Sequence, residues 1–154
     1  MIAELTRRYR FSAAHRLHNE ALGEEENARL YGKCNNPYGH GHNYVLDVTV
    51  RGQIDEGTGM VMDLGLLDRI VNDQVLERFD HTHLNLDVAE FARLVPTTEN
   101  LCLEIHRLLR ERLAREASRA TLRRIRLAET NSNFFEYEGE GASGGERRTK
   151  GDGS

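Results

Sequence analysis

The sequence predicts an α+β domain, a four-stranded antiparallel sheet with two helices on one face. Three observations predict it. Strand-like stretches open the chain and recur at its end, ahead of residue 139. Two helical stripes of apolar residues lie between them. The order strand, strand, helix, helix, strand, strand makes consecutive strands hairpin partners, which pair antiparallel.

Residues 2 to 11 read as the first strand, with Ile2, Leu5, Tyr9 and Phe11 as its apolar members. Residues 19 to 33 carry Asn19, Gly23, three consecutive glutamates and Asn27, a solvated connection with room for a short helix. Residues 42 to 52, HNYVLDVTVRG, are rich in β-branched and aromatic side chains and form the clearest strand. Gln53 to Thr58 turn on Asp55 and Gly57, and Met60 to Met62 read as a further short strand segment.

Asp63 can cap a helix running to about Phe79, with Leu67, Ile70, Val71 and Val75 as its apolar stripe. A second helix starts at Thr97 or Thr98, just after Pro96. Glu99 suits its first turn, and Leu101, Ile105, Leu108 and Leu109 give it a core face. Residues 122 to 129, LRRIRLAE, alternate as a strand, and 133 to 137 pair with it across a Thr-Asn-Ser turn. One domain therefore spans 1–138. The remainder, 139–154, is rich in glycine and charge and reads as a disordered tail. Four strands leave two edges open, and such sheets commonly pair with further copies of themselves.

The totals narrow the function. The chain has 154 residues, 38% apolar and 30% charged, with a net charge of −4. That balance points to neither nucleic acid nor an anionic membrane as partner. It contains no apolar run of about eighteen residues and no signal-peptide core at its start. Its two cysteines, Cys34 and Cys102, sit in unlike settings, so free thiols in the cytoplasm are expected. Cys102 shares a helix face with Leu101 and Ile105 and reads as a small buried hydrophobe.

The chemistry concentrates in CNNPYGHGHNY, residues 34 to 44. On a strand, residues two apart share a face, so His40 and His42 can converge on one ion. A zinc ion that keeps a catalytic position open takes three protein ligands. The third could be His15, His18, His81, His83, His106 or Cys34. His15, just beyond the first strand, is the choice, because a neighbouring strand brings it beside the pair. His18, in a polar loop, faces water. Cys34 is either a fourth ligand closing a structural site or a thiolate base held near the metal. Asp80–His81, at a helix end, is a carboxylate–imidazole pair suited to handling protons near neutral pH. Glu129, at a strand end, could accept two parallel N–H bonds from a guanidine-like edge.

These pieces together resemble the 6-pyruvoyl-tetrahydropterin synthase family. The resemblance is carried by FSAAHRL, GKCNNPYGHGHNY, IDEGTGMVMDL, the DH of FDHTHLN, PTTEN and the ET of LAETNSN, spread over residues 11 to 131. It implies the tunnelling fold, with sheets joined into barrels as trimers that stack into homohexamers. It implies His15, His40 and His42 as Zn2+ ligands, Cys34, Asp80 and His81 as a proton-handling triad, and Glu129 as pterin anchor. Thr97 and Thr98 would line the pterin pocket. Sites would lie between subunits, so Asp80 and His81 would serve a neighbour's Cys34. The implied reaction converts 7,8-dihydroneopterin triphosphate to 6-pyruvoyl-tetrahydropterin with loss of triphosphate, for which Lys33 and Arg16 are candidate partners.

Two alternatives stand beside it. The 6-carboxy-tetrahydropterin synthases use the same scaffold and substrate, release acetaldehyde, and usually hold three residues between the cysteine and the His-x-His pair. Here five residues, Asn-Asn-Pro-Tyr-Gly, fill that gap, as in the pyruvoyl-forming branch. Against this, His83 stands where the pyruvoyl-forming DHKNL pattern has asparagine. The other alternative is a non-catalytic module in which Cys34 and the histidines close a structural zinc site.

Overall fold

The computed structural model describes residues 1–140. In chain order its elements are β1 (Ile2–His15), α1 (Glu24–Tyr31), β2 (His40–Gln53), α2 (Leu64–Val71), α3 (Glu77–Phe79) and β3 (Thr82–His83). Then come α4 (Leu84–Asp87), α5 (Thr98–Glu116), β4 (Ala120–Ala128) and β5 (Phe134–Tyr137). The expected tail lies, from residue 141 on, outside the described residues.

The sheet has five strands in the order β3-β1-β2-β4-β5, which corrects the expected four. β1 and β2 pair antiparallel along their whole length, from Ile2 opposite Gln53 to His15 opposite His40. β4 pairs antiparallel with β2, and β5 with β4. β3 runs parallel to β1, so the sheet is mixed. Its two residues are too few to show a periodicity. Tertiary contacts place them: Asp80 Oδ1 accepts the Ser12 N–H at 2.9 Å and His81 donates its N–H to Ser12 O at 2.6 Å. The chain is thereby laid along the end of β1.

The simple ββααββ order is also corrected, because α1 and α4 add short helices and the first long helix is divided. Asp63 caps α2, accepting the Gly65 N–H at 2.9 Å. A π-helical turn, Asn72–Leu76, then separates α2 from α3. Met60 to Met62 form no strand. The loop before them closes on itself through Asp55, whose N–H reaches Met60 O and whose carbonyl takes the Gly59 N–H. Thr97 caps α5 through the Asn100 N–H.

Strand alternation decides which face is covered. Phe11 and Ala13 of β1, Tyr44, Leu46 and Val48 of β2, and Ile125 and Leu127 of β4 are buried together. Against them pack Leu67, Ile70, Val75 and Phe79 from the first helical stretch and Leu101, Cys102, Ile105 and Leu109 from α5. Each such aliphatic or aromatic side chain contributes about 2 kcal/mol of burial. The opposite face is polar, with Arg8 paired bidentately to Asp47 across the strands. Register then settles one functional matter: His15, His40 and His42 project on the covered face, at the end of the sheet where the apolar core stops.

Candidate metal centre and active site

β1 runs four residues beyond its expected end and carries His15 into the sheet, directly opposite His40. The three imidazoles meet edge to face, with ring centroids 4.7 Å apart for His15–His40 and His40–His42 and 5.0 Å for His15–His42. Glu129, just past β4, joins them from the next strand. One ligating atom from each of His15, His40, His42 and Glu129 lies within 4.8 Å of all the others. His15 is fully buried, and Glu129 keeps only 13% of its side chain exposed.

The hydrogen-bonding state of this cluster fits a cation. His15 Nδ1 lies 2.8 Å from Pro96 O, a pure acceptor, so the ring proton sits on Nδ1 and the Nε2 lone pair faces the cluster. That lone pair stands 3.1 Å from His40 Nε2 and 3.3 Å from Glu129 Oε1. Nε2 could bond Glu129 only if His15 were an imidazolium, and a metal ion in place of that proton satisfies both partners. His42 Nε2 is buried 2.9 Å from Glu129 Oε1 but lacks the alignment of a hydrogen bond. Burial lowers the pKa of His40 and of His42, leaving neutral rings ready to ligate. The Glu129 carboxyl is held down to about 2, first by the His15 imidazole beside it, with His42 and the Thr98 hydroxyl adding to the effect. Three imidazole nitrogens and a carboxylate oxygen make a donor set that can hold a metal ion.

Cys34 is not one of those four ligating residues. It sits in a 3-10 turn, Gly32–Asn35, tied to the chain beyond β1. Leu17 donates its N–H to Cys34 O at 2.8 Å, and the Asn35 amide donates to Leu17 O at 2.8 Å. Burial and then the Glu129 charge push the thiol up, so a thiolate there needs a positive charge close by.

Asp80 and His81 are not among the four clustered residues, although His81 and His42 line one small cavity. His81 Nδ1 is 2.9 Å from Asp80 Oδ1, and the His81 side chain is 82% exposed. Its backbone takes a left-handed turn, φ 60°, that swings the ring outward. The Asp80 carboxyl is lowered, first by the Ser12 N–H and next by His81. Among the described residues, no hydrogen bond or ion pair joins Asp80 or His81 to Cys34 or to the three histidines. Thr98 reaches Glu129, whereas the Thr97 hydroxyl is spent on capping α5. His18, expected to face water, is half-buried with Nδ1 2.9 Å from the Asn35 amide. Cys102 is fully buried, as expected. Sequence reasoning missed the carbonyl of Pro96 as the group orienting His15, since a backbone acceptor leaves no trace in residue type.

Residues 4–140 match the sequence model of the family described as 6-pyruvoyl tetrahydropterin synthase. A 6-pyruvoyl tetrahydrobiopterin synthase of Poecilia reticulata is 47% identical over 139 residues, covering 90% of this chain and 92% of that protein. The solved structure of Caenorhabditis elegans 6-pyruvoyl tetrahydropterin synthase superposes with a TM-score of 0.83 at 40% identity, covering 90% of this chain and 96% of that one. At greater distance, a 6-carboxy-5,6,7,8-tetrahydropterin synthase of Rickettsia bellii is 29% identical over 146 residues, 85% of this chain and 96% of that protein. The chain belongs to the 6-pyruvoyl tetrahydropterin synthase family, whose members are lyases.

Proposed function

We propose that this chain converts 7,8-dihydroneopterin triphosphate to 6-pyruvoyl-tetrahydropterin, eliminating triphosphate. The observation that carries the reading is the cluster of His15, His40, His42 and Glu129, with the Cys34 thiol outside that ligand set yet within reach of the Glu129 charge. Zn2+ held by the three imidazoles would acidify the C–H bonds beside the substrate's side-chain hydroxyls and offset the charge of a thiolate. Cys34 takes a proton from the side-chain carbon. Asp80 holds His81 through the 2.9 Å contact, and His81 returns protons to the tautomerising side chain. Triphosphate departs with its bonding electrons. The ring gains the hydrogens that the side chain loses, so no external redox cofactor enters the balance. Glu129 would anchor the guanidine-like edge of the pterin, with Thr98 alongside. Thr97 supports the pocket by fixing the start of α5.

The exposure of His81, and the lack among the described residues of any hydrogen bond or ion pair joining it to Cys34, support sites shared between protomers. The short edge strands β3 and β5 and the half-exposed Phe134 support sheet-to-sheet association into barrels, as a homohexamer. No helix among the described residues is long and apolar enough to cross a membrane. Two free thiols support a cytoplasmic setting.

Incubation with 7,8-dihydroneopterin triphosphate and mass analysis of the products tests the assignment. A pyruvoyl pterin with free triphosphate is expected. Acetaldehyde with a carboxylated pterin would establish the second reading, which His83 favours and the five-residue gap opposes. Cys34→Ala is expected to keep its metal and lose turnover. Loss of metal and fold together would instead mark a structural site.

A further inference from the structure

A cleft of about 700 Å³ lies outside the metal cluster, with none of His15, His40, His42 and Glu129 on its wall. That volume is typical of a small-molecule site. Its wall includes Arg16, His18, His83, Asn85 and Arg93, with Glu20 as its one carboxylate. The wall adjoins the cluster at two points. Arg16 follows His15 in the chain, and Val95, another wall residue, precedes the Pro96 that orients His15.

Arg16 and His18 of this wall are held in place by hydrogen bonds. The Asn85 amide clasps Arg16 on both sides, accepting its backbone N–H at 2.8 Å and donating to its carbonyl at 2.9 Å. Arg16 Nε donates to Asn35 O at 3.1 Å. Its terminal amines, and the whole guanidinium of Arg93, meet no carboxylate among the described residues. Many other arginines do: Arg7, Arg8, Arg107 and Arg123 are all ion-paired. The Asn35 amide nitrogen donates to Leu17 O and lies 2.9 Å from His18 Nδ1, so that ring nitrogen accepts and Nε2 carries the proton. His83 Nδ1 is buried with no hydrogen-bond partner. Two unpaired guanidiniums and two imidazoles around one cleft, in a chain of net charge −4, form a local cationic pocket.

We propose that this cleft binds polyphosphate and takes the triphosphate arm of the substrate, with Arg16 and Arg93 as the principal contacts and His18 and His83 as imidazole donors. The inference rests on the reading of the metal cluster as a pterin triphosphate site. It goes beyond that reading by giving the leaving group its own seat and by assigning His83 to it. Lys33, the other candidate partner, is not part of the wall.

The test uses full-length, metal-loaded protein and inorganic tripolyphosphate, with metal content measured before and after each titration. Arg93 is exposed, so Arg93→Glu is the first variant, and His83→Asn is the second should Arg93→Glu fail to fold. Arg93→Glu should weaken tripolyphosphate binding by about tenfold, and His83→Asn by about threefold. Tripolyphosphate should compete with 7,8-dihydroneopterin triphosphate, and in both variants the loss should fall on KM more than on kcat. Binding of phosphate-free 7,8-dihydroneopterin should stay at the wild-type value. Equal tripolyphosphate affinity in wild type and variants would overturn the proposal, as would non-competitive inhibition or an equal loss for the phosphate-free pterin. If the protein turns over no pterin triphosphate yet loses tripolyphosphate with Arg93, the cleft is an anion site and the reading of the metal cluster is what fails.

Discussion

His15, His40 and His42 with Glu129, and Asp80 with His81, are both imidazole–carboxylate groups, yet their settings are opposite. In the first, His15 is fully buried and the carboxylate nearly so. In the second, the His81 side chain is 82% exposed and the Asp80 side chain 35%. Burial removes protons from His40 and His42 and prepares neutral ligands. Exposure leaves His81 able to exchange protons and to meet a surface from another protomer. Under the proposed function the same residue types serve as a cation trap in one place and a proton carrier in the other, and strand register makes the difference. Odd residues of β1 and even residues of β2 face the helices, whereas Asp80 is anchored to the backbone of Ser12 at the sheet edge.

The largest expected effect comes from dismantling the cation trap. His42→Ala should abolish metal binding and lower turnover by about a thousandfold, the equivalent of several kcal/mol of lost charge stabilisation. Metal content by elemental analysis and kcat should fall together; full metal occupancy in an inactive variant would refute the ligand assignment. Next in size is the proton carrier. His81→Ala should lower kcat by about a hundredfold while metal content stays at the wild-type level. The two regions can then be played against each other. Cys34→Ala and His81→Ala chains, each impaired alone, should recover activity when assembled together, because some sites then combine an intact thiol with an intact dyad. No recovery in verified mixed oligomers would place the dyad and the thiol in one chain.

A smaller effect is expected at Gly39, which turns the chain into β2 with φ 75°. A Cβ there would come within 2.8 Å of both His15 O and His83 Nε2. Gly39→Ala should therefore displace the backbone of one ligand and cost about tenfold in metal affinity, a typical penalty for disturbing the support of a ligand. Unchanged affinity would show that the trap tolerates movement of β1.

Much of this was legible in the sequence, for identifiable reasons. His40 and His42 could be paired because a strand repeats every two residues, and Asp63 and Thr97 could be placed because caps have their own residue types. His15 could be chosen but not positioned, since its register against His40 depends on pairing along all of β1. β3 was illegible, being held by Ser12 rather than by its own two residues. The π-helical turn at Asn72–Leu76 left no mark, because Val71, Val75 and Phe79 keep a four-residue spacing that an unbroken helix would also show. Glu129 was visible at a strand end, but its approach to His15 and His42 required the third dimension.

The smallest effect concerns acid, and it separates burial from metal binding as causes. His106, on α5, is buried far in sequence from the ligands, its ring 4.7 Å from that of Tyr137. Burial, and after it Arg110, lower its pKa; Glu138 and Glu140 line the same small cavity. His40 and His42 are shifted in the same direction. For each, the unfolded chain, with a pKa near 6.5, takes up a proton before the folded one does. The stability these neutral rings confer is therefore complete above about pH 6.5 and is lost as pH falls towards their folded values. Bound metal removes His40 and His42 from this titration, because a ligated nitrogen has no free lone pair. Metal-loaded protein should thus lose only about 2–4 °C of Tm between pH 7 and pH 6. Metal-free protein should lose more, and His106→Gln should flatten the profile of the loaded form alone to near zero. Equal slopes with and without metal would mean that His40 and His42 are not what the proton and the metal compete for.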